Sequence, residues 1–365
     1  MNARSRLASQ LMRLWQSRSW VACLLLPLAG LYGLLLRIRR ALYALGLLQQ
    51  THLPVPVIVV GNIFVGGTGK TPLVIWLVEQ LRARGWHPGV ISRGYGAQHD
   101  QVTEVDADTD HRVAGDEPLL IMQRTGVPVV VGRRRVAAGQ QLLRAHPDVD
   151  IVISDDGLQH YALARTLEIQ ISDSRGHGNG WLLPAGPLRE PASRHSDFFV
   201  MNAAVASQSN ATSNATPIVS PNAPAKATSN LSATADTYRM SLHAEFAERL
   251  AKPSQRLPLS AISNGQRIIA AAGIGHPQRF FDMLIKHGIA LTDTLALPDH
   301  FDYRHNPFLT VSADMILITE KDAVKCARIN ALADDARLWV VPVTAAIAEP
   351  LVDNIVETLR GRSTA

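Results

Sequence analysis

Cysteine is nearly absent from this chain. Cys23 and Cys326 are too few and too far apart for a disulfide framework or a thiolate metal site, which points to a reducing compartment. Acidic residues are missing from the entire stretch before Glu79, whereas Arg4, Arg6, Arg13, Arg18, Arg37, Arg39 and Arg40 all fall within it. Because the formal net charge is +5, the chain outside those seven arginines is net negative. Basic character confined to one end suits an anionic membrane surface, and no nucleic-acid motif is present. Large apolar side chains are scarce between residues 202 and 237, where Ala, Ser, Asn, Thr and Pro dominate. Such a stretch cannot offset its ordering entropy by burial, so 202–237 is read as a disordered low-complexity insertion. No obligate protein partner is evident.

What is present begins with an uncharged run from Trp20 to Leu36 between the arginine groups. As a helix it spans roughly 26 Å, marginal for crossing a bilayer. The rings of Trp15, Trp20, Tyr32 and Tyr43 suit a headgroup region, so residues 1–50 are expected to form a membrane-associated helix, spanning or interfacial. A buried core helix and a cleaved leader are the alternatives. With 47% apolar content over 365 residues, the remainder can bury the cores of two domains.

The apolar stretch Val55 to Val60 leads into Gly66-Gly67-Thr68-Gly69-Lys70-Thr71, and Pro72-Leu73-Val74-Ile75-Trp76 follows as a helix start. Strand, glycine loop and helix in this order make a phosphate site. The glycines let backbone N–H groups turn toward one anion, Lys70 reaches the β- and γ-phosphates, and the Thr71 hydroxyl suits Mg²⁺. The loop is a variant, with Phe64 where the strict pattern wants glycine and Val65 where related loops often carry lysine.

Further apolar strands fall at 89–92, 127–131, 149–154 and 167–172, the last two ending in Asp155 and Asp173. Ile151 to Ser154 followed by Asp155-Asp156 supplies strand-end carboxylates for Mg²⁺; capping of a following helix is the alternative. A second set of strands at 267–272, 290–296, 315–319 and 338–342 follows the insertion. The expected fold is α/β, a P-loop NTPase-like parallel-sheet domain (51–201) with a smaller α/β domain (238–365) and the N-terminal membrane-associated helix.

Together with the glycine loop, Asp155-Asp156-Gly157-Leu158-Gln159-His160 resembles the tetraacyldisaccharide 4'-kinases of lipid A biosynthesis. So do Ser92 to Gly96, Gly115-Asp116-Glu117-Pro118, Leu183 to Pro191, Pro298-Asp299-His300-Phe301 and Thr319 to Lys325. The resemblance implies transfer of the ATP γ-phosphoryl group to the 4'-hydroxyl of a tetraacyldisaccharide 1-phosphate at the cytoplasmic face of the inner membrane. It makes Asp116 the acceptor of the hydroxyl proton, with His300 paired to it, and Lys70 the third catalytic group. Thr71, Asp155, Asp156 and Glu190 become candidates for Mg²⁺; Arg93, Tyr95, Arg135, Gln159, His160 and Arg189 become candidates for substrate binding. Lys321 and Asp322 are expected near the nucleotide base. They do not make the guanine-reading Asn-Lys-x-Asp, which favours ATP. A membrane-tethered P-loop ATPase or GTPase switch is the competing reading, and Val65 and the missing guanine motif count against it.

Overall fold

The computed structural model describes residues 14–94, 101–203, 236–262, 265–348 and 350–363. Most of the expected insertion, and Tyr95, lie outside them.

Its strands are β1 (Val57–Gly61), β2 (Pro88–Ser92), β3 (Thr103–Val105), β4 (Val129–Val131), β5 (Ile151–Asp155), β6 (Leu167–Asp173), β7 (Phe198–Asn202), β8 (Asp236–His243), β9 (Phe246–Arg249), β10 (Lys252–Pro258), β11 (Ile268–Ala272), β12 (Asp293–Ala296), β13 (Met315–Thr319), β14 (Leu338–Val341) and β15 (Thr344–Ile347). The longer helices are α1 (Leu26–Ala44), α2 (Lys70–Ala83), α3 (Asp116–Thr125), α4 (Arg135–Ala145), α5 (Pro277–Lys286), α6 (Glu320–Cys326) and α7 (Pro350–Ser363). Uninterrupted apolar runs make the central strands, buried on both faces as parallel sheets require.

Nine strands form the first sheet in the order β15-β8-β7-β6-β1-β5-β2-β4-β3, and six form the second in the order β10-β9-β14-β13-β11-β12. In the first sheet only the edge strands β15 and β3 run antiparallel to their neighbours. β1 lies between β5 and β6, so the glycine loop leaves the middle of the sheet beside the ends of both.

The division of the chain differs from the expected break at residue 238. β8, β15 and α7 all belong to the first sheet's layer, and the second sheet takes only the chain between them. The cause lies in α7, whose Leu351, Val352, Ile355 and Leu359 make one apolar face that needs a partner. It finds that partner in the core formed by Leu73, Leu77 and Leu81 of α2 with Ile58 and Ile153 of the sheet. The second domain has its own cores on the two faces of its sheet, one around Phe281, Leu317 and Trp339 and one around Tyr303, Phe308 and Ile318.

The uncharged N-terminal run is broken. A short helix, Trp20–Leu24, starts with the Ser19 hydroxyl accepting the Ala22 N–H. α1 then restarts with Pro27 in its first turn, where no N–H is needed, and continues through Arg37, Arg39 and Arg40. Among the described residues no helix is long and apolar enough to cross a membrane, so the spanning form of the expectation finds no helix here. α1 lies along the first domain. A Cβ on Gly33 would come within 3.0 Å of Leu182 Cδ1, and the Tyr32 hydroxyl donates to the Arg189 carbonyl at 2.9 Å. Leu28, Leu31, Leu35 and Ile38 face outward, exposed.

Because α7 completes the first core, Ile355→Ala is expected to destabilise the protein by about 2–5 kcal/mol in urea unfolding. A loss well under about 1 kcal/mol would mean that α7 only decorates that layer.

Candidate active site

The glycine loop is held open by side chains outside it. Asn62, buried just after β1, donates through Nδ2 to the Gly66 carbonyl at 3.1 Å and to Thr68 Oγ1 at 3.0 Å. Asn202, at the end of β7, donates to the Thr68 carbonyl at 2.9 Å. Gly66 and Gly69 have φ of 109° and 95°, and a Cβ on Gly69 would meet Asn202 Nδ2 at 2.5 Å, so glycine is required there by both backbone and space. Lys70, Thr71 and Pro72 then form the first turn of α2, whose leading N–H groups face the loop.

Phe64 has a role that a glycine could not fill. Its buried ring lies 4.6 Å beneath the Arg175 guanidinium, which donates to the Gly67 carbonyl at 2.6 Å. Arg175 is fixed by Asp173 at 2.7 Å, and Asp173 also takes Arg279 of α5 at 3.0 Å. The second domain therefore reaches the loop directly, and Gly275 lies against Gly67.

Two carboxylates stand at the end of β5 in opposite electrical states. Asp155 is buried, and only its Oδ2 has a partner, the Ser92 hydroxyl at 3.2 Å; Oδ1 has none. Burial, followed by the nearby Glu117 and Asp156 charges, pushes its carboxyl up to about 7. Asp156 is also buried enough to raise its pKa, but Lys70 at 3.7 Å and Arg189 at 3.0 Å outweigh that and hold it at about 2. Glu190 is fully buried against the Tyr161 hydroxyl at 2.7 Å and Arg194 at 3.6 Å. Among the described residues no group of three or more His, Cys, Asp or Glu side chains is arranged to hold a metal ion.

Opposite the loop, the two domains meet. Asp116 opens α3, and its Oδ2 lies 3.1 Å from His300 Nδ1 and 3.2 Å from Lys325 Nζ. His300 sits at φ 56°, in the left-handed region, and its ring reaches across the domain boundary to Asp116. Burial alone would raise the Asp116 carboxyl, yet the His300 hydrogen bond and the charges of Lys325 and Lys321 bring it down to about 2. Lys321 pairs with Glu117 at 3.0 Å. Asp322 is turned inward and completely buried, accepting the Gly273 N–H at 2.9 Å and the Thr319 hydroxyl at 2.7 Å. The structure thus places Lys321 beside the Asp116 pair and Asp322 in the second domain's core, where it braces Gly273.

The expected substrate-binding residues separate into two kinds. Arg135 is buried, donating to the Gly132 carbonyl at 2.9 Å and the Asp155 carbonyl at 3.0 Å; burial brings it down to about 10. It ties two strand ends together. Gln159 donates to the Asn62 carbonyl at 3.3 Å, and Arg189 reaches the same carbonyl at 3.0 Å. His160 is half-buried and brought down to about 4, first by burial and then by Arg135 and Arg93, so the Arg93 charge falls in the same neighbourhood. Lys325, Asn62, Asn202 and Arg175 were not singled out from the sequence as site residues.

A phosphate cradle at the centre of a parallel sheet needs a second substrate only if something waits opposite it, and here a carboxylate and an imidazole from different domains do. That arrangement defines a P-loop kinase. The family model described as tetraacyldisaccharide-1-P 4'-kinase matches residues 21–360. The tetraacyldisaccharide 4'-kinases of Janthinobacterium sp. (strain Marseille) and Herminiimonas arsenicoxydans are 52% and 51% identical, each over 99% of this chain and over 99% and 98% of their own lengths. The crystal structure of the "apo" form of LpxK from Aquifex aeolicus in complex with ATP superposes with a TM-score of 0.70 at 27% identity, covering 93% of this chain and 99% of that one. The chain belongs to the tetraacyldisaccharide-1-P 4'-kinase family.

The raised Asp155 carboxyl has a stability consequence. A folded-state pKa near 7, above the ordinary carboxylate value, contributes stability at low pH that is lost as pH rises through about 7. Without nucleotide or divalent cation, Asp155→Asn is expected to raise the melting temperature at pH 8 by more than at pH 5, where only part of the penalty has developed, and to leave it unchanged only below about pH 4. Equal shifts at both pH values would show that ionisation of Asp155 is not what strains the site.

Proposed function

We propose that the protein transfers the γ-phosphoryl group of ATP to the 4'-hydroxyl of tetraacyldisaccharide 1-phosphate, the lipid A precursor, at the cytoplasmic face of the inner membrane. The observation that carries this reading is the Asp116–His300 pair held opposite the glycine loop by a second domain.

In this reading the loop N–H groups and Lys70 neutralise the β- and γ-phosphates. The acceptor hydroxyl oxygen forms a bond to the γ-phosphorus as the bond to the bridging oxygen breaks, ADP departs, and the hydroxyl proton passes to Asp116. A carboxylate at about 2 is a weak base, so its task is orientation first and proton acceptance late, as the new P–O bond removes charge from the hydroxyl. His300 holds one carboxylate oxygen and leaves the other for the acceptor. The fit of Mg²⁺ is supported by the partnerless Oδ1 of buried Asp155, an acceptor whose carboxyl is pushed up by burial and by the Glu117 and Asp156 charges. Thr71, Asp155 and Asp156 would hold Mg²⁺, which would supply neutralisation of phosphate charge. Arg189 keeps Asp156 ionised and aimed at the P-loop lysine.

The substrate's acyl chains keep it in a bilayer, and α1 supplies a way to meet it there. Its outward leucines and Ile38, with exposed Trp20 and the Arg37, Arg39 and Arg40 group, make an interfacial helix, one that lies in the headgroup plane. The Tyr32 hydroxyl bond to the Arg189 backbone and the Arg39 guanidinium 5.7 Å from the Tyr161 ring join that helix to the active-site segment.

The test is transfer of ³²P from γ-labelled ATP to detergent-dispersed tetraacyldisaccharide 1-phosphate. Lys70→Ala and Asp116→Asn are each expected to lower turnover by about 10²–10⁴-fold. Full transfer by Asp116→Asn would remove Asp116 from the reaction. Replacing Leu31 and Leu35 by Glu should release the protein from anionic vesicles in co-sedimentation; retention would place the membrane contact elsewhere.

A further inference from the structure

Lys325 has no part in the reaction as set out above, yet its ammonium lies in the seam between the domains. It belongs to α6 of the second domain and is 1% exposed. Its Nζ lies 3.2 Å from Asp116 Oδ2 in the first domain, 3.7 Å from Asp322 Oδ1 in its own helix, and 5.6 Å from the centre of the Tyr303 ring. Burying an ammonium costs several kcal/mol unless carboxylates surround it. Asp322 alone, one turn back on the same helix, would serve for folding. The shorter contact is nevertheless the one that crosses to Asp116.

We propose that Lys325 is a positioning residue for phosphoryl transfer: it holds the Asp116 carboxylate ionised and, by sharing Oδ2 with His300, turns Oδ1 toward the acceptor hydroxyl. The inference deepens the proposed function and depends on its assignment of Asp116 as proton acceptor. Because Lys325 and His300 both come from the second domain, the carboxylate is set only where that domain touches α3. If the seam opened, the Asp116 carboxylate would lose both groups that fix its orientation.

Other charged and titratable groups around Asp116 do not replace Lys325. Lys321 is paired with Glu117 at 3.0 Å and stands 3.8 Å from Asp299. His111, on the turn before α3, is held below its ordinary range by burial and is neutral near pH 7. The Tyr303 phenol is pushed far up, by burial and then by Asp322, and stays protonated. Asp322, Glu117 and Asp299 are carboxylates and oppose ionisation of Asp116. Lys325 and His300 are therefore the cationic or donating groups in contact with it.

The experiment measures kcat/KM for ³²P transfer against pH for the full-length wild type, Lys325→Met, Lys325→Arg and the double variant Lys325→Met with Asp322→Asn, together with ATP affinity and thermal unfolding. Lys325→Met should move the acid limb of the profile upward by about one to two pH units with ATP affinity unchanged. On that limb, a displacement of one pH unit lowers kcat/KM at fixed pH about tenfold. Lys325→Arg should return the limb toward its wild-type position. The double variant keeps the net charge and removes the buried pair as a unit, so it should fold even if Lys325→Met does not, and it should show the same displaced limb. A folded variant with a wild-type limb, or a loss equal at every pH that arginine does not repair, overturns the proposal. So does failure of both variants to fold, which would make Lys325 structural. Wild-type transfer by Asp116→Asn would instead remove the proton-acceptor reading while leaving the Lys325 contact in place.

Discussion

Ion pairs between α3 of the first domain and α6 of the second are the constraint on which the site depends: Asp116 with Lys325, Glu117 with Lys321 and Arg124 with Glu320. None of these charges is well solvated, and a buried charge that loses its partner costs more than the pair contributes, so the helices have one register in which all are satisfied. Asp116 and Glu117 stand in the first turn of α3, where the helix dipole also favours carboxylates. Once that register is set, the loop carrying His300 has its place, and the imidazole meets Asp116 without further adjustment.

The glycine loop obeys the same logic of support from outside. Its strict pattern is broken at Phe64, and the loss is made good by groups from elsewhere in the chain. Asn62 and Asn202 take over hydrogen bonds along the loop, and Phe64 becomes the floor for Arg175, which fixes the Gly67 carbonyl. Asp173 then binds Arg175 and Arg279 together, so the conformation of the phosphate cradle and the seat of the second domain share one carboxylate.

Much of this was legible in the sequence where a single physical signal dominates. Apolar runs marked β1, β2, β5, β6, β11 and β13 to within a residue or two, because strands buried on both faces carry no polar alternation to confuse the reading. Strands β8, β9, β10 and β15 were missed because their residues are mixed and half-exposed; only pairing with a neighbour defines them. The return of α7 to the first sheet is a long-range packing choice with no local mark. In the candidate site, Lys70, Asp155 and Asp156 could be nominated from the sequence because loop and strand-end chemistry is local. Lys325 and Arg279 could not, since their partners lie far away in sequence and nothing near either residue distinguishes it from a solvated charge. Asp322 carries a structural task that its polar motif did not reveal, accepting the Gly273 N–H within the core.

The placement of α1 bears on the direction from which an acceptor reaches Asp116. α1 touches the first domain at Tyr32 with Arg189 and at Tyr43 with Tyr161, and both contacts fall on the stretch that follows β5 and on the loop that returns to it. Arg189 in turn binds Asp156, which faces Lys70. On the proposed reading, an interfacial helix in this position would bring the headgroup plane to the same side as the strand-end carboxylates and the glycine loop. The second domain meets the first along α3. On the proposed reading a lipid headgroup therefore enters along α1 and stops where the seam holds Asp116.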